Sequence, residues 1–529
     1  MGGNYFMGRT KRVLGIVEWI VVLALAVTLI VVVVYTRDRL KEVDQMTSMQ
    51  DSKLVLYEGP KSLKDATEED LKTASESTES RDNSLLHSVD TIVKVNGYES
   101  YVYETNVNHN RVWEPSYQPT QSKTPITYFD FSGVANIEVT VPDMDLKSVK
   151  ISPVSLGLKP VVDAVAHTVS FTITEQGDYT LTFNDSPVRA LHIFANPLET
   201  NVPSRDDKNV VYVGPGEWNI ESILLEDNQT LYISGGAVIH GIVNANYAEN
   251  VKVLGRGIID GSKYKTWGGT TAYVPLKFDN CKNIEIRDVI ALNSNAWVLN
   301  SDSTTNALVD GVRIISSRPN GDGITLQSCQ DYTVQNCFVR SWDDSLVVKN
   351  YHGDSNNVTF KNIQVWTDLA QSMEIGYETN KGSKEDAVIS NVTFEDITVL
   401  NGYHRPIISI HNSDDATIKD ITYKNITIEN AQSGSGDAAD TPYLIDFRIL
   451  KNSGWSTTEQ RGQIRNVTID GVNVIGGKFL ASTIKGFDET HTIEGVTIKN
   501  LEILGEKITS FEQGKFDIDE KSTKNLVIE

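Results

Sequence analysis

Cysteine is nearly absent. Cys281, Cys329 and Cys337 are the only three in 529 residues, and none has the short paired spacing of a zinc or redox site. Three cannot all pair within one chain, so the expected role is that of small buried hydrophobes. Positive charge is also scarce: 48 lysines and arginines face 70 aspartates and glutamates, a formal net charge of -22. Such a surface repels phosphate backbones and other polyanions, which argues against nucleic acid as a partner. What the chain has in abundance is length. It is too long for one ordinary core, so the choice is between several domains and an elongated repeat.

One long apolar run stands at the start, from Val13 to Tyr35, broken only by Glu18. Its uninterrupted part, Trp19 to Tyr35, would rise about 26 Å as a helix, and with Val13 to Val17 included it can span a bilayer. The small-residue pattern Ala24-Leu25-Ala26 leads into further apolar residues rather than a polar mature start, which favours an uncleaved anchor over a signal peptide. Arg9, Lys11 and Arg12 on one side are matched by Arg37, Arg39 and Lys41 on the other, a tie under the positive-inside rule. Residues 1–40 are therefore expected to form a cytoplasmic tail and transmembrane anchor. Placing the remainder outside the cell, on a single-pass membrane protein, rests on the enzymatic reading below.

Residues 41–88 are rich in Ser, Thr, Glu, Lys and Asp, a composition that predicts a disordered acidic stalk. Across 89–204, alternating runs such as Tyr98 to Tyr103, Ile137 to Val141, Val169 to Ile173 and Tyr179 to Phe183 are punctuated by Gly, Pro and Asn. They predict a small antiparallel β-sandwich.

From 205 to 529 the pattern becomes periodic. Asn283-Ile284-Glu285-Ile286-Arg287-Asp288-Val289 returns as Asn357-Val358-Thr359-Phe360-Lys361-Asn362-Ile363, and again from Asn391 and Asn466. Starts at Asn250, Asn283, Asn306, Asp331, Asn357, Asn391 and Asp415 lie 33, 23, 25, 26, 34 and 24 residues apart. Alternating apolar positions turn one face of each strand inward, and Asn or Asp marks the bends. Leucine-rich repeats share this period but need a leucine-dense consensus, whereas Val, Ile and Thr dominate here. The prediction is an all-β chain whose main domain is a right-handed parallel β-helix. Asn-x-Thr triplets at Asn228, Asn357, Asn391, Asn425 and Asn466 fall where the repeat itself asks for a turn Asn followed by a β-branched residue, so a structural role is preferred to glycosylation.

Within the repeats, Asp322 lies between two glycines, and Asp343 and Asp344 follow about one coil later. Residues one coil apart stack at about 4.8 Å, and a lateral offset extends this toward the roughly 6.5–9.5 Å between the two carboxyl groups of an inverting glycosidase. Clustered carboxylates repel one another, which raises at least one pKa and keeps a proton for the acid step. An isolated Asp pair at a bend would ordinarily be a solvated turn. Repeat register, the flanking glycines and the nearby Trp342 and Trp366 tip the balance toward chemistry.

These motifs resemble glycoside hydrolase family 28, the polygalacturonase group. An Asn-Thr-Asp-Gly motif precedes Asp-Asp by one coil in that family, and this chain has Asn320-Gly321-Asp322-Gly323 followed by Asp343-Asp344-Ser345-Leu346-Val347-Val348-Lys349. Gly255-Arg256-Gly257-Ile258-Ile259-Asp260-Gly261 is similar to an earlier family motif. The resemblance implies Asp343 as general acid, Asp322 and Asp344 as the pair that holds water, and no metal or cofactor. Candidate substrate contacts are Asn320, Lys349, Gln371 and Arg405, with Glu374 able to bind hydroxyls and Trp342 able to stack on a sugar ring. Where the family carries Gly-His-Gly, this chain reads Ala370-Gln371-Ser372, and the family's Arg-Ile-Lys, which grips a substrate carboxylate, has only a partial counterpart in His404-Arg405-Pro406. With Glu374 and Glu378 entering the same region, a neutral α-linked glycan is expected in place of a galacturonate. A sandwich before a β-helix is similar to the dextranase-like family 49 layout. Two rival readings are a non-catalytic carbohydrate-binding surface protein and a pectate-lyase-like enzyme; the latter needs calcium-binding acids and a proton-abstracting base.

Overall fold

The computed structural model describes residues 52–71, 84–107, 122–186, 189–265, 272–380, 384–433, 442–452 and 454–529. The expected membrane anchor lies outside them. Among the described residues no helix is long and apolar enough to cross a membrane.

From Val210 onward the described residues wind into a β-helix of 29 strands, parallel except where Ile493–Ile503 meets Glu506–Ile508. Strand starts stay in step from coil to coil: Ile324 stands opposite Leu346, Leu346 opposite Met373, Met373 opposite Ile408, and Ile408 opposite Ile445, with a register shift after Val348. The strand Ser355–Thr367 shows why the sequence adopts this shape. Val358, Phe360, Ile363 and Val365 alternate inward and are buried, while Asn357 and Asn362 turn the chain at φ of 58° and 51°. Asparagine tolerates this left-handed conformation because its short amide can bond locally. Here the amides bond from coil to coil: Asn391 Nδ2 donates to Asn357 Oδ1 at 3.1 Å, and Asn357 Nδ2 to Asp331 Oδ1 at 2.6 Å. The preferred structural role of these triplets matches that ladder. Inside, Phe360, Phe394 and Tyr423 stack with centroids 4.9 and 5.0 Å apart, close to the strand spacing of about 4.8 Å. All three cysteines are free and buried.

The described residues of the preceding domain form a sandwich of one seven-stranded and one five-stranded sheet. Its pairings are antiparallel except where Ala190–Asn196 runs parallel to Ser122–Ser132. The stalk expected over residues 41–88 is corrected in its described parts. Lys53–Leu56 is an edge strand, with Lys53 opposite Ser132 and Leu56 opposite Phe129, and Leu86–His87 pairs with Val102–Val107. Leu54 and Leu56 pack on the sandwich core, and the Tyr57 hydroxyl donates to Asp130 Oδ2 at 2.8 Å. The polar average over the segment concealed this short alternating run.

Sandwich and β-helix share a core. Tyr103, Ile126, Tyr128 and Phe194 pack on Ile258, Ile290, Ile315, Phe338 and Trp366. Buried ion pairs cross the same boundary, Arg256 to Asp130 and Arg313 to Asp178, both at 3.0 Å. Trp366 lies in this interface, its indole N–H donating to Asp368 Oδ1 at 2.8 Å. It is therefore placed for packing between domains and not for stacking on a sugar.

Candidate active site

Each coil makes a tight turn before entering the sheet that contains Ile324–Gln327, Leu346–Asn350, Met373–Thr379, Ile408–Asn412 and Tyr443–Ile449. Backbone bonds extend the parallel register into these turns. Gly323 N donates to Asp344 O at 2.8 Å, and Ser345 N to Gln371 O at 2.8 Å. Asp322, Asp344 and Gln371 thus occupy equivalent positions in successive coils, with Asp343 one residue to the side. The glycines flanking Asp322 allow this approach: a Cβ on Gly323 would meet Val339 Cγ1 at 2.3 Å, and one on Gly321 would meet Arg318 O at 2.6 Å.

The aspartates are held by backbone donors. Asp343 Oδ2 accepts from Asn320 N at 3.0 Å and its Oδ1 from Asp344 N at 3.1 Å, while Asp344 Oδ1 accepts from Gln371 N at 2.9 Å. Asn320 and Gln371 therefore reach the site through their main chain. Hydroxyls brace the turns from behind: Ser345 Oγ lies 2.6 Å from Ser341 Oγ and 2.7 Å from Thr367 Oγ1, and Ser341 donates to Asp343 O at 2.7 Å.

Burial raises the proton affinity of all three carboxyls. Asp322 is pushed up to about 8 by burial, with Asp343 and Glu378 adding to the effect against Lys349. Asp344 is raised well above the carboxylate range by burial and then by Asp343, Asp322 and Glu374. Asp343 is also raised by burial, opposed by the N–H donors of Asn320 and Asp344 and by the Lys349 and Arg405 charges. The cluster cannot ionise fully, so it retains a proton to donate beside a carboxylate able to accept one.

Lys349 joins the cluster, its Nζ 3.8 Å from Asp322 Oδ2 and 3.0 Å from Glu378 Oε2. Burial opposes its charge, but Glu378 and its neighbours hold the ammonium well above its ordinary value. Arg405 is half-buried in the turn before Ile408–Asn412, where its charge acts on Asp343.

Two expectations are corrected. Trp342 is 1% exposed, one of the largest fully buried side chains, so its ring offers no face to a sugar. Glu374 and Glu378 are not bare charges: Glu378 accepts from Lys349 and from the Tyr351 hydroxyl at 2.7 Å, and Glu374 is fully buried against His411 and Ser409. Repulsion by unpaired glutamates is thereby removed as an argument about substrate. Sequence reasoning also missed Ser409, His411, Asp446 and Arg448, which lie on the outer face of the same sheet. The available signal was alternation, since Ile408 and Ile410 point inward and leave Ser409 and His411 outward.

The family profile described as Glycosyl hydrolases family 28 matches residues 220–517, more than half of the chain. A probable polygalacturonase from Vitis vinifera is 24% identical over 177 residues, covering 30% of this chain and 35% of that one. Polygalacturonase-2 from Solanum lycopersicum is 22% identical over 300 residues, covering 54% and 57%. The chain thus spans between a third and somewhat over half the length of these curated relatives. Among solved structures, Dex49A from Penicillium minioluteum superposes with a TM-score of 0.66 at 14% identity, covering 90% of this chain and 98% of that one. At that identity the likeness concerns the fold, and it extends to the layout of sandwich and β-helix.

Proposed function

The chain belongs to glycosyl hydrolases family 28 and is a glycoside hydrolase, and from this premise we propose that it cleaves an uncharged α-linked polysaccharide or oligosaccharide with inversion. The observation that carries the reading is the stacking of Asp322 and Asp344 in adjacent coils with Asp343 beside them, all three raised in proton affinity. Asp343 gives its proton to the glycosidic oxygen as the bond to the anomeric carbon breaks. Asp322 and Asp344 hold a water, and whichever of the two is ionised takes its proton as the oxygen attacks from the opposite face. Lys349 steadies the charge of the water-binding pair.

Substrate charge follows from the strand two coils after Leu346–Asn350. Arg-Ile-Lys would alternate out, in, out, and Ser409-Ile410-His411 has that alternation, whereas His404-Arg405-Pro406 lies in a turn. Ser409 carries no charge, and His411 is already occupied by two carboxylates. On this strand neither position leaves a cation for a uronic acid, which supports a neutral sugar even though the curated relatives are named polygalacturonases. The winding is taken as right-handed, the sense of parallel crossovers. The apolar run from Val13 to Tyr35 supports a single-pass anchor with the enzyme on the extracellular side, where it would meet polysaccharide.

Reducing-sugar release from a panel of neutral and uronic polysaccharides identifies the substrate, and proton NMR of the first product reads the anomeric configuration. We expect the β-anomer from an α-linked neutral glycan, and Asp343→Asn to lower kcat by about 10³-fold or more with its melting temperature preserved. Efficient cleavage confined to polygalacturonate would overturn the substrate assignment, retention of configuration the mechanism, and an active Asp343→Asn the acid.

A further inference from the structure

The outer face of the catalytic sheet carries a second group of buried charges, which the reaction above does not use. Two columns run along it. Val347, Glu374, Ser409 and Asp446 stand opposite one another in successive coils, and beside them Gly376, His411 and Arg448 do the same. His411 reaches diagonally to both acids: Nδ1 lies 2.9 and 3.0 Å from the two Glu374 oxygens, and Nε2 lies 3.1 Å from Asp446 Oδ2. The Ser409 hydroxyl also donates to Glu374. Arg448 forks Asp446 through Nε at 2.7 Å and Nη2 at 2.6 Å, with Nη2 3.5 Å from His411 Nε2. The Tyr377 ring lies parallel on the imidazole, centroids 4.4 Å apart and 2° between planes. The side chains of Glu374, His411 and Asp446 are 0% exposed.

We propose that His411 is a positioning residue: clamped between Glu374 and Asp446, it carries a proton that balances the Glu374 carboxylate on the strand leading from the Gln371 turn, and so sets the pH range in which the aspartate cluster works. This role rests on reading the aspartates as the catalytic groups. Glu374 and Asp344 are joined by one short segment, since Gln371, three residues before Glu374, donates its main-chain N–H to Asp344. The charged groups that bear on Asp344 are Asp343, Asp322, Glu374 and Lys349. Lys349 lies 3.8 Å from Asp322, whereas Glu374 has a histidine behind it. Burial works against a charged His411, but Glu374 and Asp446 outweigh it and raise the imidazole to about 9. A neutral imidazole would leave two buried carboxylates with a hydroxyl and one guanidinium between them, an arrangement that burial disfavours.

The test compares three variants of the full chain: His411→Asn, Glu374→Gln, and both together. The readouts are the pH dependence of kcat/KM and the side-chain nitrogen shifts of histidine. Exposing the Glu374 charge in His411→Asn should move the acidic limb up by about one pH unit, the order that one charge roughly 12 Å away produces at an effective dielectric of about 20. Removing that charge in Glu374→Gln should move the limb down, and the double variant should return it toward wild type. A role in packing alone cannot give shifts of opposite sign. Unmoved limbs, or limbs that move the same way, would overturn the proposal. If His411→Asn does not fold, the near-isosteric Glu374→Gln decides by its direction alone. His411 found neutral at pH 7 in an active enzyme overturns this role and leaves the glycosidase reading intact. A chain inactive on every glycan overturns both, whatever the charge of His411.

Discussion

Asp322 carries a consequence for stability as well as for chemistry. Its carboxyl titrates at about 8 in the fold against 3.8 when unperturbed, with burial as the main cause. Between those values the folded chain keeps a proton that the unfolded chain has released. Its contribution to stability is therefore complete below the unfolded value and is lost as pH rises through the folded one. We expect the melting temperature to fall from pH 5 to pH 8.5 more steeply in wild type than in Asp322→Asn. That substitution keeps the shape and can still accept from the Thr325 hydroxyl, now 3.2 Å from Asp322 Oδ2. Differential scanning calorimetry across the range checks this, and equal slopes would show that Asp322 does not titrate within it. The same residue shows why Asn is the right probe of the site, since it removes the proton and leaves the packing.

At the scale of the coil, the turn asparagines perform two tasks that can be separated. Asn357 adopts φ of 58° and links its coil to the next through Asn391 and to the previous one through Asp331. Glycine keeps the backbone conformation and loses the ladder, whereas alanine loses both. Asn357→Gly should cost about 1 kcal/mol and Asn357→Ala about 2 kcal/mol, because a Cβ at positive φ adds roughly 1 kcal/mol. Urea unfolding of the two variants measures the difference, and an alanine variant as stable as the glycine one would refute it. Asn425 and Asn466 donate through Nδ2 to Asp396 and Asp420, each at 3.1 Å, so their side chains are committed in the same way.

On the scale of the molecule, the sandwich is the cover of one face of the β-helix. Ile258, Ile290, Ile315, Phe338 and Trp366 would form a contiguous apolar strip without it, and Arg256 and Arg313 would lose Asp130 and Asp178. Exposed patches of that kind drive association, and an ion pair broken in a buried site leaves an uncompensated charge. A chain beginning at residue 205 should therefore aggregate on size-exclusion chromatography where the chain with its sandwich elutes as a discrete species. A soluble, folded, active β-helix would mean that the two domains stand independently.

The sequence by itself determined the repeat, because side-chain alternation and turn asparagines are local properties that recur every coil. It also determined the catalytic candidates, since Asp322 and the pair Asp343 and Asp344 are about one coil apart in a register that any stacked repeat must keep. Composition misjudged residues 52–71, where a few alternating apolar residues pair with a strand some 75 positions away and outweigh the polar average. Only the tertiary structure could decide which aromatic residues are buried and which charged residues are paired. Trp342 and Trp366 look alike in sequence to sugar-stacking tryptophans but are buried, and Glu374 looks like a free acid until His411, 37 residues later, is laid beside it. Insertions between coils vary, so a diagonal contact across two strands depends on a register fixed by packing, and partners of that kind are settled in space and not along the chain.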